Sequence, residues 1–332
     1  MSARAWTLFA AVSTLWGIPY LFIKIGVDGG VPPIVLAWGR LVLGSAVLLA
    51  LAMGAGVLRE LRGRWRFIVA YGVIEVTIPF PLIATGEQHL ASSLTAIIIA
   101  SVPLIVALLA LRFDHSERVS GTRFVGLVTG LLGVVLLVGL QASGSSTSLL
   151  AAGAIVVAAI GYASGPLILK RRLADLDPRA TMGTSLAVGA LALTPLALLD
   201  APTRTPTAGA IASVVVLGLV CTALAFVLMA MLIVEVGAGR AVVITYINPI
   251  IAVALGVTLL GEQPGAGGIA GLLLILAGSW LSTDGRLPPG LAALLARGRR
   301  GAAASEPSVV PEVVDHIAVA PLGPVAADGQ HL

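Results

Sequence analysis

Residues 91–111 read Ala-Ser-Ser-Leu-Thr-Ala-Ile-Ile-Ile-Ala-Ser-Val-Pro-Leu-Ile-Val-Ala-Leu-Leu-Ala-Leu, without one Asp, Glu, Lys or Arg. As a helix rising 1.5 Å per residue, such a run spans about 30 Å, the thickness of a bilayer's hydrocarbon core. It is too long for an ordinary strand and lacks the alternation of a barrel strand. In lipid, the backbone of a single segment is satisfied only as a helix. Nine further runs of the same kind flank it: 6–23, 33–53, 67–85, 124–140, 150–169, 180–199, 209–230, 241–260 and 267–283. The sequence therefore predicts an all-α polytopic membrane protein with ten transmembrane helices.

Composition agrees. Of 332 residues, 58% are apolar and only 11% charged, where a soluble domain carries about 25% charged residues. Mean hydropathy is +1.04. A soluble enzyme, a disordered chain and a fibrous repeat are excluded. Cys221 is the single cysteine, so no intrachain disulfide forms, and the four histidines are scattered. No metal site and no cofactor are expected, and there is no GxxxxGK[ST] nucleotide loop and no HExxH. The first run is read as a retained span, because Trp16-Gly17-Ile18-Pro19 is not followed by a cleavage site.

The net charge of +4 belongs to membrane orientation and not to nucleic acid. With the N-terminus placed in the cytoplasm, 17 basic residues fall in inside segments and two, Lys24 and Arg204, outside. This bias predicts both termini cytoplasmic in the plasma (inner) membrane, with loops 25–32, 86–90, 141–149, 200–208 and 261–266 outside.

Sliding the chain by 145 residues aligns Pro33 with Pro178, Glu117 with Glu262, Gly126 with Gly271 and Gly133 with Gly278. The unit holds five spans, an odd number, so the second copy enters from the opposite side. The expectation is two inverted five-helix repeats, 6–140 and 150–283, followed by a cytoplasmic, largely disordered tail, 284–332. Inverted repeats are common in secondary transporters, whose substrate site lies near the midplane between the halves.

These residues resemble the EamA-like family of the drug/metabolite transporter superfamily. The likeness rests on Leu15-Trp16-Gly17 followed by Lys24, and on Pro32-Pro33 followed by Arg40. It continues through Val102-Pro103-Leu104, Glu117, Gly126 to Gly133, Asn248-Pro249-Ile250, Leu260-Gly261-Glu262 and Ala270-Gly271 through Ala277-Gly278. This chain has Asn248-Pro249 where the family often has Glu-Pro. The resemblance implies a ten-helix carrier of small metabolites, amino acids or drugs, usually outward.

Within the ten runs only Arg40 and Glu75 are charged. A charge near the bilayer centre is expensive and is functional by default. Arg40 reads as a substrate anchor and Glu75 as a protonatable carboxylate, or the two as a structural ion pair. Lys24 ends the first run, where snorkelling to the interface is expected. Trp16, Trp38, Tyr71, Tyr162 and Tyr246 fall mid-span, away from interfacial belts, and Asn248 adjoins the break at Pro249. With Arg40 and Glu75 they form the expected lining of a midplane substrate cavity.

The function expected is a secondary exporter of small amphipathic metabolites by alternating access. Proton coupling and uncoupled facilitation or a channel are both left open. Gly161-Tyr162-Ala163-Ser164-Gly165 loosely suggests an intramembrane hydrolase but lacks the GxSxG spacing. The GxxxG pairs Gly126/Gly130, Gly161/Gly165 and Gly267/Gly271 suit either interior helix packing or a homodimer face.

Overall fold

The computed structural model describes residues 2–113, 121–142 and 145–284. These residues form helices and no strand. Among the described residues nine helices are long and apolar enough to cross a membrane, and a shorter apolar helix, α9, takes the remaining place of ten: α1 Ala3–Asp28, α2 Pro33–Gly54, α3 Trp65–Glu87, α4 Ser92–Leu109, α5 Gly121–Gly139, α6 Ser146–Leu173, α7 Pro178–Leu199, α8 Ala208–Val236, α9 Ile244–Leu260 and α10 Gly265–Ser282. Each predicted run falls on one of them. Glu117 and the tail beyond residue 284 lie outside the described residues, as does part of the loop 141–149.

Several helices are interrupted, and the interruptions follow the prolines. Pro19 cannot donate a backbone bond, and α1 divides into Ala3–Gly17 and Pro19–Asp28 around Ile18. In α3 a π-turn, Val73–Thr77, precedes Pro79. In α4 the helix breaks at Ala100–Ser101, ahead of Pro103. A π-turn, Leu169–Leu173, follows Pro166 in α6. The longest π-segment, Val216–Leu224 in α8, contains no proline. Pieces of this kind free backbone groups and redirect side chains, and they recur at functional sites.

Helix packing is orderly. The pairs α2/α7, α4/α9 and α5/α10 pack together, as do α1/α8 with α3/α6 and α1/α9 with α4/α6. This pairing is unchanged when every helix is exchanged for the one five places along the chain. Small residues allow the closest approaches: a Cβ built on Gly278 of α10 would collide with the Gly130 backbone of α5. That contact uses one of the GxxxG pairs inside the chain.

The loops clasp one another at both ends of α2. At the Pro33 end, Arg204 Nη2 donates to Asp28 O, and Thr207 N donates to Gly29 O at 3.0 Å. At the opposite end, Arg64 Nη2 lies 3.0 Å from Asp175 Oδ2 and Arg64 Nη1 donates to Arg172 O. There Asp177 N also donates to Glu60 Oε2 at 3.2 Å.

Candidate functional site

Arg40 lies a third of the way along α2 from Pro33 and is only 8% exposed. Its Nε donates to Thr222 Oγ1 at 2.7 Å, and its guanidinium stacks over Phe80 at 4.0 Å from the ring centroid. Thr222 sits in the π-segment of α8 and donates in turn to Leu217 O, five residues back, at 2.8 Å. Phe80 follows the Pro79 break of α3. The irregular segments of α3 and α8 thus place the ring and the hydroxyl that hold Arg40. Among the described residues, Nη1 and Nη2 have no hydrogen-bond partner. Tyr20, Tyr162 and Cys221 lie within electrostatic reach of the guanidinium charge. The result is a fixed cation with free planar donors and two tyrosines nearby, a suitable receptor for a carboxylate.

The sequence left open an ion pair between Arg40 and Glu75, and the structure does not form one. Glu75 lies in the π-turn of α3, and its Oε2 is buried without a hydrogen-bond partner. The carboxylate is pressed against Gly165 of α6, where an added Cβ would overlap Oε2. Tyr71, one turn earlier, is buried with its hydroxyl 4.0 Å from Met182 Sδ and within electrostatic reach of Glu75. The cation and the carboxylate are therefore not paired, although Tyr162 lies within electrostatic reach of both.

The other expected lining residues join helices. Trp38 Nε1 donates to Thr194 Oγ1 of α7 at 3.1 Å. Trp16 meets Phe226 edge-on at 5.6 Å between ring centroids. Tyr246 packs on Trp280 at 5.9 Å. With its amide oriented to satisfy both neighbours, Asn248 donates to Ile244 O at 2.9 Å and Ser13 O at 3.1 Å, tying α9 to α1. Of the eight, Arg40 lies near Tyr162 and Glu75 near Tyr71, and Tyr162 is within electrostatic reach of both charged groups.

Lys24 lies one turn from the end of its helix and has two oxygen partners there. Helix α1 continues to Asp28, and Lys24 Nζ turns to Glu87 O at 2.8 Å and Asp28 Oδ1 at 3.3 Å. Glu87, placed in an outside loop from the sequence, is the last residue of α3 and is 0% exposed. Glu75 is thus not the only buried carboxylate. Tyr20, Phe80 and Thr222 had also escaped the sequence reading. Tyr20 follows Trp16 by four residues on one helix face, a usable signal, but nothing local marked Phe80 or Thr222.

A cavity of about 480 Å³ opens at the Pro33 end of α2, lined by residues including Val27, Thr85, Gln88, Asp200 and Arg204. None of the eight expected residues lines it. Ser164, the serine of the hydrolase-like stretch, donates to Ile160 O at 2.7 Å within its own helix.

Ten apolar helices, five of them interrupted, around a buried cation define a multi-pass membrane protein of transporter architecture. The chain matches the model of the EamA-like transporter family twice, over residues 4–139 and 149–283, and it belongs to that family. It is 29% identical to a probable terminal-alkyne amino-acid exporter of Streptantibioticus cattleyicolor, over 83% of this chain and 94% of that one. It is 28% identical to the inner membrane transporter YedA of Escherichia coli, over 76% of this chain and 81% of that one. A solved crystal structure shares the fold with a TM-score of 0.62 at 22% identity, covering 90% of this chain and 100% of that one. The protein is a membrane transporter.

Proposed function

We propose that this transporter exports small amphipathic carboxylates, amino acids or close relatives, by alternating access across the plasma (inner) membrane. The observation that carries the reading is Arg40: a buried guanidinium with free terminal donors, held by Thr222 of the second half. Such a group binds a carboxylate in bidentate fashion. Tyr20 and Tyr162 supply a wall for the apolar part of the same molecule. The amino-acid exporter among the relatives supports this substrate class.

The two halves, 6–140 and 150–283, act as inverted repeats that rock about the site. Supporting this are the two successive family matches and the five helix pairs, named above, that are preserved when each helix is exchanged for the fifth along. Glu75, unpaired with Arg40, is the proposed proton-coupling carboxyl. A carboxylate tightly paired with arginine would stay ionised, as a facilitator would require.

The test is efflux of labelled amino acids from proteoliposomes, alongside binding to purified protein. Arg40→Ala should weaken substrate binding about 10–100-fold, the loss of about 1.5–3 kcal/mol for hydrogen bonds to a charged group. Arg40→Lys should recover only part, because an ammonium lacks the planar fork. Wild-type binding by folded Arg40→Ala would refute the anchor. Glu75→Gln retaining full gradient-driven flux would refute Glu75 as the coupling group.

A further inference from the structure

We propose that Glu87 is a proton-binding site at the mouth of the carrier, which releases its proton by taking Lys24 from Asp28. The proposal deepens the transport reading above and rests on it for its purpose, though not for its chemistry.

Glu87 closes α3 with no exposed surface, and both of its carboxylate oxygens are buried without a hydrogen-bond partner. A buried carboxylate is tolerated as an ion only when it is paired and hydrogen-bonded. Among the described residues, the cation beside it is committed elsewhere: Lys24 Nζ donates to the Glu87 main-chain oxygen at 2.8 Å and pairs with Asp28 Oδ1 at 3.3 Å. In this arrangement the Glu87 carboxyl carries a proton. The ammonium already touches the backbone of the same residue, and it has three donors on a flexible stem. A side-chain rotation brings it to the carboxylate.

The surroundings hold the exchange between these groups. From α1, Tyr20, Lys24 and Asp28 lie within electrostatic reach of Glu87, and from the loop between α9 and α10 so does Glu262. Glu262 is already occupied as an acceptor for Ser92 N and Ser93 N. Helix α6 faces neighbouring Gly86 with Ile155 and the Ala151 carbonyl. The charge on α2, Arg40, is stacked over Phe80, two turns back along α3.

The step balances. The Glu87 O–H bond breaks and its proton passes to water in the mouth cavity, which Thr85 and Gln88 line on either side of Glu87 in the chain. The new carboxylate takes the Lys24 ammonium, and Asp28, 58% exposed, is left to solvent. Protonation from the same side reverses the exchange. Lys24 and Asp28 ride on the Pro19–Asp28 piece of α1, which the Pro19 break separates from the rest of the helix. Tyr20, on that same piece, is within electrostatic reach of Arg40 as well as Glu87.

The test needs no substrate. Purified full-length protein in lipid nanodiscs is titrated and followed by infrared difference spectroscopy. The expected result is a protonated-carboxyl band that is present in Glu75→Gln, disappears there as pH rises, and is lost when Glu87→Gln is added to that variant. Lys24→Met should move the titration to higher pH by at least tenfold in proton concentration, because the ammonium favours the ionised carboxyl. Because Glu75 can give a band of its own, the deciding comparison is made in the Glu75→Gln background: no such band there, or one that survives the further change Glu87→Gln, overturns the proposal. So does a titration unmoved in Lys24→Met, a variant that reads the site with Glu87 in place. Counterflow of amino acids in proteoliposomes separates the two readings. The band without counterflow supports the proton site and refutes amino-acid transport, whereas counterflow without the band does the reverse.

Discussion

At the scale of single residues, the site depends on what is absent from a position as much as on what occupies it. Gly165 has no Cβ, and its place in α6 is filled by the Glu75 carboxylate. Gly165→Ala should force that carboxylate aside, at about 1–3 kcal/mol for overpacking a close contact. The expected outcome is a folded protein with a lower Tm and reduced proton-driven flux. Unchanged flux at unchanged Tm would show that Glu75 has room to move. Arg40 and Glu75 were legible in the sequence because a charge within an apolar run needs a reason. Thr222 was not, because a threonine in an apolar helix is ordinary until a distant arginine donates to it.

At the scale of elements, the first turn of α4 is held by a residue from the other half of the chain. Glu262 Oε1 and Oε2 accept from Ser92 N and Ser93 N at 2.7 and 2.9 Å. Helix starts leave such donors unpaired, and an acceptor there contributes about 1 kcal/mol. Burial by itself would push the Glu262 carboxyl up, but the donors from Ser93 and Ser92 outweigh it and hold the group below the usual carboxylate range. Its stabilising contribution is therefore complete above the unfolded-state pKa and is lost as pH falls through the lower folded-state value. Thermal melts of Glu262→Gln should lie below wild type at neutral pH and converge with it in acid. A constant gap across the whole range would assign the effect to something other than the ionised cap. The sequence marked Glu262 through its repeat partner Glu117, but not what it caps.

At the scale of the whole molecule, clasps at opposite ends of α2 join loops from the two halves. Arg204 holds the α1–α2 turn and Arg64 holds the α6–α7 turn. In an alternating-access carrier these contacts oppose opening to opposite sides. Arg204→Ala and Arg64→Ala should shift cysteine accessibility of the central site in opposite directions. A shift in the same direction for both would show that the clasps only stabilise the fold. The basic bias of the loops makes a separate prediction about orientation. Single cysteines at Ser145 and Arg62 should label oppositely with an impermeant maleimide on intact cells, and equal labelling would break the assignment of both termini to the cytoplasm.

The sequence by itself determined the class of protein, the ten helices and the family. Those follow from lengths of apolar chain, and the cost of leaving backbone groups unpaired in lipid admits little else. It also marked Arg40 and Glu75. Only the tertiary structure decided that these two form no ion pair, that Trp16, Trp38 and Asn248 join helices, and that Lys24 donates to the Glu87 carbonyl. The reason is physical. Hydropathy is a property of one segment, but the partner of a buried polar group comes from another helix, 182 residues away in the case of Arg40 and Thr222. Where α3 ends was likewise decided by packing, and that placed Glu87 inside the fold.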